Sequence, residues 1–313
     1  MMRIVFCGTP SFAVPTLKHL LSQSDLEVVG VITQPDRPRG RGQEVSFSAV
    51  KEAALAAKLA VHQPEKIRAA ENAALLQKLA PDCVVIIAYG QIIPARMLTI
   101  PKLGWINLHA SLLPKYRGAA PINWAIVNDE TRTGVTTMRI DAGMDTGEML
   151  LRREVEIGPN ETAPELTVRM AGLGAPLMVE TLRGLAAGTI LSKSQNHAVA
   201  SYAPMLKRED GRIDWKRPAR EIYNRMRGFA PWPGAYTTFR GQSCHVWGEP
   251  VSKESTEAVP GSLLDAKEEL KIACGRATVL RVLAVKLEGR KKISAPEFAN
   301  GARLKSGERF GDS

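Results

Sequence analysis

Residues 67–88 read IRAAENAALLQKLAPDCVVIIA. The first thirteen place Ala and Leu at helical spacing among Lys, Gln and Glu, and the last six form an unbroken apolar run. A helix that passes at once into an apolar strand is half of a β–α–β repeat. The alternation extends in both directions. Strand candidates lie at 4–7, 28–32, 83–88, 105–108 and 135–140, and helix candidates at 11–21, 49–59 and 67–79. This pattern predicts an α/β domain with a mainly parallel sheet covered by helices on both faces. Residues 133–140 followed by 149–157 read as a hairpin-like addition at one edge, and 163–185 as a long closing helix ended near Gly188.

Gly8-Thr9-Pro10-Ser11-Phe12 follows the first strand and opens a helix. In a Rossmann-like fold the phosphate-binding loop of a dinucleotide would lie there. The G-x-G-x-x-G fingerprint is absent, and Pro10 stands where the backbone would have to approach a pyrophosphate. A nicotinamide enzyme is therefore rejected, and the fold alone leaves the ligand open.

The chemistry concentrates in two stretches. In Gly104-Trp105-Ile106-Asn107-Leu108-His109-Ala110-Ser111-Leu112-Leu113-Pro114, an apolar run is interrupted at i and i+2 by an amide and an imidazole. Those positions share one face of a strand, at the strand end where open parallel sheets place their active sites. Taken alone, such a pair is better explained by bonds to loop backbone. The second stretch, Asp141-Ala142-Gly143-Met144-Asp145-Thr146-Gly147, makes a sharp loop after another strand and can carry a carboxylate to the imidazole. A carboxylate beside His stabilises the imidazolium and sets its tautomer. Asp141 is assigned to turn formation and Asp145 to function.

The N-x-H-x-S-L-L-P segment at 107–114, the R-G-A-A-P at 117–121 and D-x-G-x-D-T-G at 141–147 together resemble the 10-formyltetrahydrofolate-dependent formyltransferases. Further pieces are G-T-P-x-F-A at 8–13, T-Q-P-D-R-P-x-G-R-G at 33–42, A-Y-G-Q-I-I-P at 88–94 and W-P-G-A-Y at 232–236, so the resemblance spans nearly the whole chain. It implies that Asn107, His109 and Asp145 are the catalytic residues. It implies that Ser111, Leu112, Leu113 and Pro114 contact the folate, and that residues 87–93 line the pterin pocket. The co-substrate implied is 10-formyltetrahydrofolate, with no metal. The acceptor implied is the amino group of methionine on an initiator tRNA, giving formylmethionyl-tRNA for translation initiation through a tetrahedral oxyanion.

The catalytic half does not by itself fix the acceptor, since related enzymes formylate a small nucleotide or an amino sugar. Two features favour tRNA. Residues 34–43 hold Arg37, Arg39 and Arg41 among Pro and Gly, a basic loop suited to phosphates and unpaired bases. The resemblance implies that this loop enters the tRNA acceptor end. Residues 201–313 hold 21 Lys+Arg against 14 Asp+Glu, whereas 1–200 hold 21 against 18, so most of the net charge of +10 lies in the C-terminal third. Basic clusters there include Lys207-Arg208, Lys216-Arg217 and Arg290-Lys291-Lys292, and a basic face suits a polyanion. Arg39, Arg41 and Lys207 are the expected tRNA contacts.

Short strand candidates at 235–239, 245–247, 262–264, 270–272 and 279–287, after a helix candidate at 219–227, suggest a small β-barrel. The resemblance makes it OB-like. Trp215, Trp232 and Trp247 are expected to pack in it rather than stack on bases. The domains read as 1–189 (catalytic), a polar linker at 190–206, and 207–313 (tRNA-binding), with a disordered tail after Leu304. No apolar run approaches the roughly 20 residues of a membrane span, and the N-terminus has no signal-peptide pattern, so a cytoplasmic protein is expected; the resemblance implies a monomer. The four cysteines, Cys7, Cys83, Cys244 and Cys274, are far apart in sequence and read as small buried hydrophobes.

Overall fold

The structure is a computed structural model that describes residues 1–39, 44–265, 269–305 and 307–311. Chain order in the first half runs β1 (Met2–Gly8), α1 (Val14–Leu21), β2 (Leu26–Ile32), a hairpin of β3 (Arg37–Arg39) and β4 (Glu44–Ser46), and α2 (Ala49–Ala56). It continues with β5 (Val61–His62), α3 (Ala70–Leu79), β6 (Cys83–Ile87), α4 (Ala95–Leu98), β7 (Trp105–His109), α5 (Pro121–Val127), β8 (Arg132–Arg139), β9 (Met149–Glu156) and α6 (Ala163–Ala186).

Seven of these strands form one sheet in the order β5-β2-β1-β6-β7-β8-β9. The pairs from β5 to β7 are parallel, and β7-β8 and β8-β9 are antiparallel. The mainly parallel sheet with an added edge hairpin is thus as the periodicity predicts. Its inner strands are unbroken apolar runs because both faces are covered: Ile4, Val5, Phe6 and Cys7 are fully buried, as are Cys83, Val84 and Val85. The chain starts in the middle of the sheet, moves out to β2 and β5, and returns to β6 on the other side of β1. That reversal makes a crevice at the carboxyl ends of β1 and β6. Gly8 has a packing role there, since a Cβ on it would lie 2.9 Å from the Ile87 carbonyl oxygen.

The remaining elements are α7 (Ala219–Gly228), β10 (Tyr236–Phe239), β11 (Gln242–Pro250), β12 (Leu263–Asp265), β13 (Lys271–Ala273), β14 (Val279–Leu287), β15 (Ile293–Ser294) and α8 (Ala295–Ala302). The strands form an antiparallel sheet in the order β10-β11-β14-β13-β12, with β15 also on β14. Residues expected to be a disordered tail complete it. Phe310 bridges Phe239 at the β10 edge, and Arg309 bridges Ser262 beside β12, so the tail joins both edges into a small barrel. Phe310 is buried and its ring stacks on Phe239 with centroids 4.7 Å apart. Trp215 is also in this core, with its indole N–H donating to Thr237 Oγ1 at 3.1 Å.

The two compact units divide the chain differently from 1–189, 190–206 and 207–313. One consists of Met1–Pro121, Arg132–Glu156 and Leu166–Ala203, and the other of Ile122–Thr131, Ile157–Glu165 and Pro204–Ser313. Two excursions from the first half belong to the second unit by side-chain contact. Trp124 meets Phe229 edge-on at 5.5 Å, the Asn123 amide donates to the Gly228 carbonyl at 2.7 Å, and Arg227 donates to the carbonyls of Gly158 and Glu161. The polar stretch after α6 runs along the first unit: Lys193 pairs with Met149, Tyr202 bridges Arg117, and Gln195 and Ala203 are buried.

Candidate active site

Asn107 and His109 both lie on β7, two residues apart and therefore on one face, and both are buried. Asn107 is 9% exposed, and no hydrogen bond to its side-chain amide is found among the described residues. A nearly buried amide without a protein partner is poised to bind something else. His109 closes the strand. Its Nε2 lies 2.8 Å from the Tyr116 carbonyl oxygen. A carbonyl only accepts, so Nε2 carries the proton in the neutral ring and Nδ1 keeps its lone pair. Nδ1 faces Asp145 Oδ2 at 3.7 Å, an ion-pair distance too long for a hydrogen bond.

The Asp145 loop is built by its neighbours. Asp141 accepts from the Gly143 N–H at 3.0 Å and from the Thr146 hydroxyl at 2.7 Å, the turn-forming role assigned to it from sequence. Gly147 admits no side chain, because a Cβ would lie 1.9 Å from the Arg139 carbonyl oxygen. Asp145 has φ 53°, a left-handed conformation that Asp tolerates better than most residues. Its Oδ2 accepts from the Gly118 N–H at 2.8 Å, which aims the carboxylate toward His109.

Three residues unassigned from the sequence hold this geometry. Arg117 is 2% exposed, and its guanidinium donates to Gln195 Oε1 at 3.1 and 2.7 Å and to His197 Nδ1 at 3.2 Å. Gln195 Nε2 in turn donates to the backbone carbonyls of Asp145 and Gly147, each at 2.8 Å. Arg117 also fixes the loop through its backbone, which exchanges bonds with Ser201 and Ala203. A buried cation, an amide and the backbone of the Asp145 loop thus form one connected network within the first unit. Arg117 stands in the quoted R-G-A-A-P motif, whereas no local signal marks Gln195 or His197.

The expected folate segment is half committed to the protein. Ser111 is fully buried and its hydroxyl donates to the Lys115 carbonyl at 2.6 Å; Leu113 is buried with its N–H on Thr136 Oγ1 at 3.2 Å. Leu112 and Pro114 keep partial exposure. In the neighbouring stretch, Ala88 and Gly90 adopt φ 47° and 89°, and the Tyr89 hydroxyl is buried without a partner.

The basic hairpin is anchored at its base. Asp36 accepts from Lys51 and, at 2.9 Å, from Gln63, and both donors hold its carboxyl below the usual range. Arg37 is exposed and pairs with Glu65 at 3.2 Å. Arg39 closes β3 opposite Glu44, and Arg41 lies outside the described residues. Lys207 is exposed in the second unit, its N–H capped by Asp210 at 2.7 Å. The four cysteines are free and buried, and burial pushes Cys83, Cys244 and Cys274 up to about 12, so none is a reactive thiolate. Among the described residues no group of three or more His, Cys, Asp or Glu side chains forms a metal site, and no helix is long and apolar enough to cross a membrane.

Taken together, the site offers an amide donor, an imidazole with its tautomer set and a carboxylate, at the carboxyl ends of a parallel sheet. Residues 2–182 match the family model described as "Formyl transferase", and 205–303 that described as "Formyl transferase, C-terminal domain". A "Methionyl-tRNA formyltransferase" of Solibacter usitatus is 55% identical over 311 residues, 99% of each chain. One of Geobacter metallireducens is 48% identical over 311 residues, again 99% of each. Among solved structures, the sugar 3N-formyl transferase WlaRD, crystallised with dTDP and 5-N-formyl-THF, is similar with TM-score 0.65 at 19% identity, covering 93% of this chain and 99% of that one. HypX of Aquifex aeolicus in complex with tetrahydrofolic acid gives 0.62 at 17%, covering 98% of this chain and 48% of that one.

Proposed function

The chain belongs to the formyl transferase family, and from that membership we propose that it formylates the amino group of methionine on an initiator tRNA. The donor is 10-formyltetrahydrofolate, and the product is formylmethionyl-tRNA for translation initiation. The observation that carries the chemistry is the Asn107–His109–Asp145 arrangement, with His109 Nε2 held by the Tyr116 carbonyl and Nδ1 facing Asp145.

The folate supplies the formyl carbon and takes back a proton on the nitrogen it leaves. The residues of the chain do the rest. As the amine adds to the formyl carbon, negative charge develops on the formyl oxygen, and the unpartnered Asn107 amide donates to it. His109, once protonated on Nδ1, is a second donor there, with Asp145 stabilising the imidazolium. Asp145 and His109 together accept the proton of the attacking amine and return it to the departing nitrogen, so that a C–N bond forms as another breaks. Leu112 and Pro114, with the backbone of residues 87–93, border the folate. Ser111 and Leu113 shape that wall from within.

A tRNA acceptor accounts for the second unit, with Arg39, Arg41 and Lys207 as contacts, and fits a cytoplasmic reaction. The alternative acceptor, a small amine, would leave a barrel rich in Lys and Arg without a purpose. All of the named catalytic groups come from one unit of one chain, which supports action as a monomer. The deciding experiment offers purified protein three acceptors with labelled donor: charged initiator Met-tRNA, free methionine and an amino sugar. Transfer to the charged tRNA alone is expected. Transfer to the amino sugar alone would establish the alternative. Asn107→Ala, His109→Ala and Asp145→Ala should each lower kcat by about 10²–10³-fold with the fold intact; near-normal turnover in all three would remove the mechanism.

A further inference from the structure

The barrel carries a cleft of about 350 Å³ on the outer face of β10 and β11. Alternation along β11 puts Cys244 and Val246 in the core and turns Ser243, His245 and Trp247 outward. The outward row of a barrel strand facing water ordinarily carries polar side chains. Here it carries rings. Tyr236 pairs with His245 across the strands, and His245 with Lys286 of β14. The Tyr236 and His245 rings lie 5.9 Å apart, and those of His245 and Trp247 6.2 Å apart at 31°. Trp232 borders the same cleft and is 56% exposed. Packing, expected from sequence for all three tryptophans, describes Trp215 and not these two.

Cations surround the rings. Lys286 and Arg208 line the cleft, Arg208 lies 6.0 Å over the Tyr236 ring, and Lys292 Nζ lies 4.1 Å over Trp247. No carboxylate is among the residues lining it. Burial, with Lys286 and Arg208 beside it, lowers the pKa of His245 and keeps its ring neutral at neutral pH. Flat π-faces with flanking cations are the means by which proteins hold single-stranded nucleic acid, rings taking the bases and cations the phosphates. A paired stem hides its base faces, so such a platform calls for an unpaired nucleotide.

We propose that the cleft formed by Trp232, Tyr236, His245, Trp247, Arg208 and Lys286 binds an unpaired nucleotide of RNA, its base on the rings and its phosphate on the cations. On the reading of the previous subsection, on which this rests, that nucleotide belongs to the tRNA acceptor and the cleft contributes to its affinity rather than to the chemical step.

The test uses the full chain and two readouts. Fluorescence anisotropy of labelled hexa-adenylate at low salt measures the cleft directly. Trp247→Ala and Lys286→Ala should each weaken binding, the former by roughly 5- to 100-fold, the range of one lost base stack. Trp247→Phe, which keeps a π-face, should restore most of it, and thermal melts check that each variant folds. Steady-state formylation of charged tRNA should show KM raised by a similar factor with kcat unchanged. Hexa-adenylate that fails to bind, or binds the variants as tightly as the unsubstituted protein, would overturn the proposal, as would an unmoved KM. Adenosine 5′-monophosphate competing at equal affinity would overturn the assignment to RNA in favour of a free nucleotide. If charged tRNA is not formylated at all, the acceptor reading fails, and hexa-adenylate binding still decides the cleft.

Discussion

His109 illustrates how a single carbonyl sets chemistry. Because Nε2 donates its hydrogen to the Tyr116 carbonyl, Nδ1 is the nitrogen left facing Asp145. That Asn107, His109 and Asp145 come together was legible in the sequence because their signals are local: an amide and imidazole two apart on a strand, and a carboxylate in a glycine-flanked loop. Gln195 was not, since its role comes from contacts 48 to 78 residues away in sequence. It is a positioning residue, tying the Asp145 backbone to buried Arg117. Gln195→Leu removes the acceptor of a buried guanidinium and two donors to the loop, and should lower kcat by roughly 10- to 100-fold by displacing Asp145, with the KM for tRNA little changed. Gln195→Glu restores an acceptor for Arg117 and should recover part of that loss. A variant with reduced thermal stability and full kcat would show a purely structural role.

Elements dominated by near neighbours were readable, and those completed by distant partners were not. β14 runs over Val279–Leu287, the bounds its apolar pattern predicts, and the parallel strands fall within two residues of theirs except β5, a two-residue edge strand the sequence reading missed. The barrel closure escaped because a short polar C-terminal segment with one aromatic ring gives no periodic signal. Its order comes from Phe239 and Ser262, tens of residues upstream. Residues 34–43 read as loop for a different reason: Arg37–Arg39 pairs as β3 with Glu44–Ser46 as β4, but strands of three residues are too short to show an alternating pattern. Phe310 is 1% exposed, stacked on Phe239 and close to Phe298 and Trp215. Phe310→Ala should therefore cost about 3–5 kcal/mol of barrel stability. Urea unfolding followed by tryptophan fluorescence measures it, and a change under about 1 kcal/mol would mean that the tail is dispensable to the core.

Across the whole molecule, the charge imbalance was legible by counting, but which cations are available to a polyanion depends on the pairs the fold makes. In the barrel Arg281 pairs with Glu249 and Glu269, Lys271 with Glu254 and Glu269, and Arg240 with Glu308. Among the described residues no ion pair is found for Lys207, Lys286, Arg290, Lys291 or Lys292, so these carry the excess outward. Binding that neutralises phosphates releases counterions, and affinity then falls as a power of salt concentration. With about five phosphates neutralised, raising monovalent salt from about 50 to 200 mM should lower kcat/KM for charged tRNA by roughly 100- to 1000-fold. The kcat at saturating tRNA should change little, because the reacting groups lie in a buried site where salt screens weakly. Lys207→Ala should reduce the slope of log kcat/KM against log salt by about one. A slope near zero in the unsubstituted protein would mean that the basic third is not the surface that holds the acceptor.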